Sequence, residues 1–188
     1  MGDIFKQAHK YTNFNDGDII LEIGSDREDG STQYFANLGP ELHTVDVDSS
    51  ASQRLSHLNA HFHVAEGSEW CATHLPKLDC AIGLVYLDNF DYIWDVTDIK
   101  PYIQEQMDQY LKQYNIIMDN TNCQIEHLRQ TMLIYPYLTD QAVVVYDDTY
   151  TYNGCWIGKG GAGVTWLLAN GFQIRELNRR APGVILTR

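Results

Sequence analysis

The residues best suited to chemistry begin with the run Glu22-Ile23-Gly24-Ser25-Asp26-Arg27-Glu28-Asp29-Gly30-Ser31-Thr32, which follows an apolar stretch. Glycines at 24 and 30 permit positive φ and a close approach of backbone to ligand, and Ser31 or Thr32 is placed to cap a following helix. The free amides of that helix start would favour an anionic group, as in a nucleotide pocket. A dinucleotide fingerprint would need glycines at 24, 26 and 29, but Asp26 and Asp29 stand there and would repel a pyrophosphate. NAD and FAD are therefore disfavoured, and an NAD-dependent oxidoreductase is the weaker alternative. A Walker-type phosphate loop is excluded because no Lys follows the glycines.

The opposite electrostatics belong to S-adenosylmethionine, whose sulfonium and ammonium outweigh one carboxylate. Glu22 suits its ammonium side. Asp46, in Val45-Asp46-Val47-Asp48, lies roughly 20 residues on, where an acid that bridges ribose hydroxyls belongs; Asp48 is the second candidate for that role. A non-catalytic cofactor-binding domain uses the same residues.

Three more carboxylates end two other apolar runs: Asp88 in Tyr86-Leu87-Asp88, and Asp147-Asp148 after Val143-Val144-Val145-Tyr146. They cannot all stay charged side by side without a cation or raised pKa values. A hard divalent ion such as Mg²⁺ takes oxygen ligands and would make Asp88, Asp147 and Asp148 a metal site. Alternatively, Asp147-Asp148 caps the next loop and Asp88 touches the cofactor. Tyr150 follows two residues later; with an ordinary pKa near ~10 it is a poor base at neutral pH.

These groups must be held by the elements between them. Apolar runs at Asp18–Gly24, Leu42–Val47, Phe62–Ala65, Ala81–Asp88 and Ala142–Asp148 read as strands one to five. Ile19-Ile20-Leu21 and Val143-Val144-Val145 are continuous rather than alternating, as in central parallel strands covered on both faces. Helices at Ser31–Leu38 and Ser50–Leu58 alternate with them, which predicts an α/β doubly wound sheet whose strand ends open into one crevice.

The stretch from 89 to 141 is too long for a simple crossover and must carry structure of its own. Ile103, Met107, Tyr110, Leu111 and Tyr114 repeat at helical spacing after Pro101, and Ile125, Leu128 and Met132 follow a Thr121-x-x-Gln124 capping box. This helical insertion either covers the sheet or overhangs a pocket as a lid. Phe172–Asn178 and Gly183–Thr187 form a closing antiparallel hairpin. Thr149–Gly161 reads as an aromatic, glycine-rich loop leading to a helix at Val164–Ala169; Tyr152, Trp156 and Lys159 either line an acceptor pocket or simply flank a tight return.

Leu21-Glu22-Ile23-Gly24-Ser25…Gly30-Ser31-Thr32, His43–Asp48, Ala65-Glu66-Gly67-Ser68 and Tyr86-Leu87-Asp88 together resemble the class I S-adenosylmethionine-dependent methyltransferases. The resemblance implies a Rossmann-like, mostly parallel seven-stranded sheet. It places Glu22, Gly24, Ser25, Gly30, Ser31 and Thr32 at the methionine end, Asp46 at the ribose, Glu66, Gly67 and Ser68 at the adenine side, and Asp88 beside the cofactor. With Asp147 and Asp148 it is similar to the metal-assisted small-molecule O-methyltransferases of the cephalosporin-hydroxylase and macrocin type. There Mg²⁺ would lower an acceptor hydroxyl's pKa, and some such enzymes offer a histidine where Tyr150 stands. Asp88, Asp147, Asp148 and Tyr150 are the catalytic candidates this implies.

The chain's 188 residues suit a single domain over 1–188, and 44% hydrophobic residues suffice for a core. Thirteen basic against 25 acidic side chains give a net charge of −12, which repels nucleic acid and anionic membranes. No membrane span or signal peptide is expected. Cys71, Cys80, Cys123 and Cys155 lack any paired spacing and read as reduced structural thiols, which suits a cytoplasmic protein. His57, His61 and His63 are enough to suggest zinc but read as structural. The acceptor is expected to be a small molecule, and a homo-oligomer is possible.

Overall fold

The structure, a computed structural model, describes residues 4–25 and 30–188. Asp26, Arg27, Glu28 and Asp29, with their expected repulsion of a pyrophosphate, lie outside the described residues.

A seven-stranded sheet runs in the order β3-β2-β1-β4-β5-β9-β8. Its parallel part comprises β1 (Asp18–Ile23), β2 (Glu41–Asp46), β3 (His61–Val64), β4 (Ala81–Leu87) and β5 (Leu138–Asp147). β8 (Gln173–Asn178) and β9 (Gly183–Thr187) form the expected antiparallel hairpin, with β9 against β5. The continuous apolar runs are central as expected: every residue of β1 is buried, and so are Val143, Val144 and Val145.

Alternate side chains of these strands enter opposite cores. Leu21, Ile23, Val85, Leu87, Val144 and Tyr146 pack with Trp70 and Cys71 of α4 (Gly67–His74), Ile134 of α6 (Asn120–Ile134), and Val164 and Leu167 of α7 (Gly161–Ala169). Ile20, Leu84, Tyr86, Val143 and Val145 pack with Ile4 and Phe5 of α1 (Ile4–Ala8) and Phe35 of α2 (Ser31–Ala36). The sheet is covered on both faces, and β2 runs on into α3 (Ser49–Arg54). No helix among the described residues is long and apolar enough to cross a membrane.

The insertion between β4 and β5 divides its labour. α6 packs against α4 and α7 on the sheet, while α5 (Pro101–Tyr114) leans over the carboxyl edge. Tyr110 of α5 is buried with Val47, Phe90, Met118 and Cys123, and Gln109 Nε2 donates to the Val47 carbonyl at 2.8 Å. α6 thus covers the sheet, and α5 packs on the segments that follow β2 and β4. The helix cap differs from the expected box: Asp119, not Thr121, caps α6 by accepting from Asn122 N at 2.7 Å.

The segment after β5 is not an irregular loop. It is a hairpin of β6 (Thr149–Tyr152) and β7 (Cys155–Gly158). Asn153 and Gly154 both take positive φ, 49° and 78°, as a tight hairpin turn requires.

Candidate functional site

The carboxyl ends of β1, β2 and β4 meet through the backbone. Gly24 has φ 97°, and a Cβ there would stand 2.6 Å from Asn89 N, so only glycine lets the end of β1 lie this close to the end of β4. A chain of hydrogen bonds then joins β1 to β2. Thr44 Oγ1 donates to Glu22 at 2.7 Å, Ser25 Oγ and Thr44 Oγ1 are 2.8 Å apart, and Ser25 N donates to Asp46 Oδ2 at 2.8 Å.

Glu22 is placed differently from expectation. It is fully buried, and its oxygens accept from Ser31 Oγ at 2.6 Å and Thr32 Oγ1 at 2.7 Å, so it anchors the loop from below rather than lining a crevice. The hydroxyls of Ser31 and Thr32 are consequently turned inward, and the residue that caps α2 is Gly30, with φ 81°. Burial pushes the Glu22 carboxyl up to about 8, against the three hydroxyls that oppose the shift.

Asp46 also accepts from Asp48 N at 2.7 Å and keeps 9% exposure at the end of β2. Asp48 is occupied elsewhere, capping α3 by accepting from Ser50 N at 2.8 Å. Glu66 caps α4 through Ser68 N and Glu69 N. Ser68 Oγ bonds Glu126 of α6, and Gly67 faces Gln130 of the same helix. Burial raises Glu66 to about 7, with the neighbouring Glu126 adding to the shift. The Glu66-Gly67-Ser68 segment is therefore braced by α6, which no local pattern in the sequence announced.

Between Asp46 and Asp88 stand Asn89 and Phe90. Asn89 is 8% exposed and its amide makes no well-formed hydrogen bond, although the Tyr110 hydroxyl is near enough to feel it. Phe90 takes φ 56°, a strained value for an aromatic residue, and packs edge-on against Tyr110 at 4.8 Å. The donor set fits an adenosyl ligand: carboxylates for a ribose and an amine, an underused buried amide, and an aromatic wall from Phe90 and Tyr110. Asp46, Glu66 and Asn89 would hold it.

The acid cluster is formed as expected, but it encloses a cation from the chain itself. Lys159 Nζ lies 2.6 Å from Asp88 Oδ1, 3.3 Å from Asp91 Oδ1 and 3.4 Å from Asp148 Oδ2, with its side chain 2% exposed. It also donates to the Asp88 carbonyl at 3.1 Å, and Tyr86 Oη donates to Asp88 Oδ2 at 3.2 Å. Gly158 makes this possible. At φ 89°, a Cβ there would fall 1.8 Å from the Asp148 carbonyl oxygen, so β7 could not return close enough to bury the next residue. Asp148 itself takes φ 44°.

Burial alone would pull the Lys159 ammonium down, but Asp88, Asp91, Asp148 and Asp147 outweigh it and hold its pKa well above the ordinary value. One ammonium cannot balance four carboxylates. Burial, joined by the charge of Asp88, accordingly pushes Asp147 up to about 8. In this arrangement Asp88, Asp147 and Asp148 do not fit Mg²⁺, because the ammonium stands where the ion would bind. Lys159, expected either to line an acceptor pocket or to flank a tight return, is instead buried inside the acid cluster. The sequence did hold a signal for this cation: a Gly-Lys-Gly run downstream of the paired acids Asp147-Asp148.

Beside the cluster is an open cleft of about 460 Å³, lined by Tyr92, Trp94, Tyr150, Tyr152 and Ile157. Trp94 lies 4.5 Å from Tyr92 and 5.5 Å from Tyr150, ring to ring. Tyr150 is thus brought to the cleft wall.

The raised carboxyls give a pH dependence of stability. Glu22 and Asp147 keep their protons to about pH 8, whereas unfolded carboxyls release theirs near pH ~4. Between those limits the folded state binds the extra protons, so stability falls as pH rises towards 8 and levels off above it. Burial also keeps His63 and His127 neutral, down to about 4 and about 3, which acts in the opposite sense below the unfolded histidine pKa. Above that pKa, of about 6.5, the melting temperature should fall with pH, and Glu22→Gln should flatten the slope by at most about 1.4 kcal/mol per pH unit. Parallel melting curves for parent and variant across that range would contradict the shift.

The seven-stranded, mostly parallel sheet with its closing antiparallel hairpin is a fold shared with solved structures of methyltransferases. Among solved structures, the chain resembles apo CalS11, a TDP-rhamnose 3′-O-methyltransferase of calicheamicin biosynthesis, at 14% identity over 97% of this chain and 76% of that one, with TM-score 0.62. It also resembles an rRNA methylase from Streptococcus thermophilus (14% identity, 100% and 98% covered, TM-score 0.54). A third is the glycopeptide N-methyltransferase MtfA complexed with S-adenosylmethionine (11% identity, 99% and 86% covered, TM-score 0.53). No protein-family model and no curated protein matches the chain.

Proposed function

We propose that this chain transfers the methyl group of S-adenosylmethionine to an oxygen of a small-molecule acceptor, with Lys159 as the cation that organises the reacting end of the site. The observation that carries the reading is the buried Lys159 ammonium, held among Asp88, Asp91 and Asp148 between the Gly24–Asn89 contact and the aromatic cleft. When bound, the cofactor supplies an electrophilic methyl on a sulfonium. The acceptor hydroxyl would attack that carbon as the C–S bond breaks, leaving a neutral thioether and a proton to be removed.

Asp147, with its carboxyl pushed up to about 8, takes that proton in its ionised form, so transfer should rise with pH towards 8. Asp88 and Asp148, fixed by Lys159, would orient the acceptor oxygen, and the chain's main contribution is alignment and exclusion of water. Tyr92, Trp94, Tyr150 and Tyr152 favour a flat ring or the apolar face of a sugar. A structured RNA is the less fitting acceptor, since a net charge of −12 opposes a phosphate backbone.

The test is transfer of radiolabelled methyl from S-adenosylmethionine to a panel of phenols, glycosides and amines, with and without chelator. The reading expects O-methylated products, chelator-independent rates, and loss of most activity in Asp147→Asn. Cofactor binding with no transfer to any acceptor would favour the non-catalytic binding domain, and activity that requires Mg²⁺ would overturn the role given to Lys159.

A further inference from the structure

A second polar cluster lies at the opposite end of the same strands. Glu41 and His61 are the first residues of β2 and β3, whereas the ribose candidate Asp46 is the last of β2. Side chains alternate along a strand, so Glu41 and His43 share one face of β2, and His61 and His63 share one face of β3. The parallel register pairs His43 with His61. All four side chains consequently project from one face of the two outermost strands on that side.

Glu41 Oε1 is 3.0 Å from His43 Nε2 and 3.0 Å from His61 Nε2, and the three ligand-type atoms lie within 4.8 Å of one another. The two imidazoles lie 4.9 Å apart with 18° between their planes, and each Nε2 is within hydrogen-bond distance of the same Glu41 oxygen. Ligands about 2.0–2.1 Å from a tetrahedral zinc ion stand about 3.3 Å apart, close to the two separations of 3.0 Å between Glu41 and the histidines. The other nitrogen of His43, Nδ1, is 3.1 Å from His63 Nε2. His63 in turn packs against Trp70 at 4.8 Å between ring centres. A ligating histidine that gives its second N–H to a fixed partner is the usual outer support of a metal site.

We propose that Glu41, His43 and His61 bind one divalent transition-metal ion of zinc type, with His63 orienting His43 and water in the fourth position. Glu41 and His61 side chains are 54% and 58% exposed, which leaves the ion a route in and an open coordination position. Two imidazoles and one carboxylate are the ligand types that zinc accepts; Mg²⁺ would prefer more oxygens. The ion would clamp β3, a short and half-exposed strand, to β2. The site is remote from the catalytic cluster, so the inference stands independently of the proposed activity.

The test titrates the full, metal-free chain with Co²⁺ and then Zn²⁺. One equivalent of Co²⁺ should give the visible absorption of a tetrahedral centre, Zn²⁺ should displace it, and Zn²⁺ should raise the melting temperature. His61→Ala, at an exposed position, should melt like the metal-free parent yet lose the spectrum and the Zn²⁺ effect. His63→Ala should weaken binding by roughly 10–100-fold, and His57→Ala, an exposed histidine outside the cluster, should change nothing. Absence of the Co²⁺ spectrum, or equal binding by parent and His61→Ala, would overturn the proposal.

Discussion

Lys159→Ala should lower stability by about 3–5 kcal/mol, because it leaves Asp88, Asp91 and Asp148 facing one another without their cation. For a chain of this size that is a fall in melting temperature on the order of 10 °C. Methyl transfer should be lost as well, since the carboxylates would no longer be held in one geometry. Removing the ammonium also opens the space it filled. Millimolar Mg²⁺ should therefore restore part of the stability of Lys159→Ala while leaving the parent unchanged, as expected where hard oxygen ligands converge on a vacated cation position. A variant that melts with the parent would show that the cluster is solvated and weak.

The second large effect concerns the cofactor. Asp46→Asn should weaken binding of S-adenosylhomocysteine by on the order of 10–100-fold, the worth of a hydrogen bond to a charged acceptor. Asp48→Asn provides the contrast. Asn can keep the cap of α3 through its Oδ1, so stability should change by less than about 1 kcal/mol and affinity should stay near that of the parent. If Asp48→Asn weakens binding and Asp46→Asn does not, the ribose assignment is reversed.

The central sheet was legible because burial on both faces leaves an unbroken apolar record in Ile19-Ile20-Leu21 and Val143-Val144-Val145. The five parallel strands and the closing hairpin lie where the apolar runs place them, with ends shifted by a residue or a few. α4 was missed because its inward residues, Gly67, Ser68, Trp70 and Cys71, are too mixed in polarity to mark a face. The β6–β7 hairpin was missed although Asn153-Gly154 between Thr149–Tyr152 and Cys155–Gly158 is a hairpin signal; the aromatic residues and glycines drew the reading towards a loop.

Within the site, residue types were legible and their directions were not. Glu22 was singled out as an acid near a cofactor, yet three hydroxyls draw it inward, and that depends on Thr44 from the neighbouring strand. The carboxylates at the ends of β4 and β5 were expected to need a cation or raised pKa values. That Lys159 supplies it follows only from the return of β7 across Asp148, a contact between segments rather than a motif. The same holds for Glu41, His43 and His61, whose meeting depends on the register of β2 and β3.

Calorimetric titration of the chain with S-adenosylhomocysteine, alongside NAD⁺, tests most directly whether the acid-rich edge of the sheet is built for an adenosyl sulfur compound. One-to-one binding of S-adenosylhomocysteine with no heat from NAD⁺ is the predicted result. Binding of NAD⁺, or of neither compound, would contradict it.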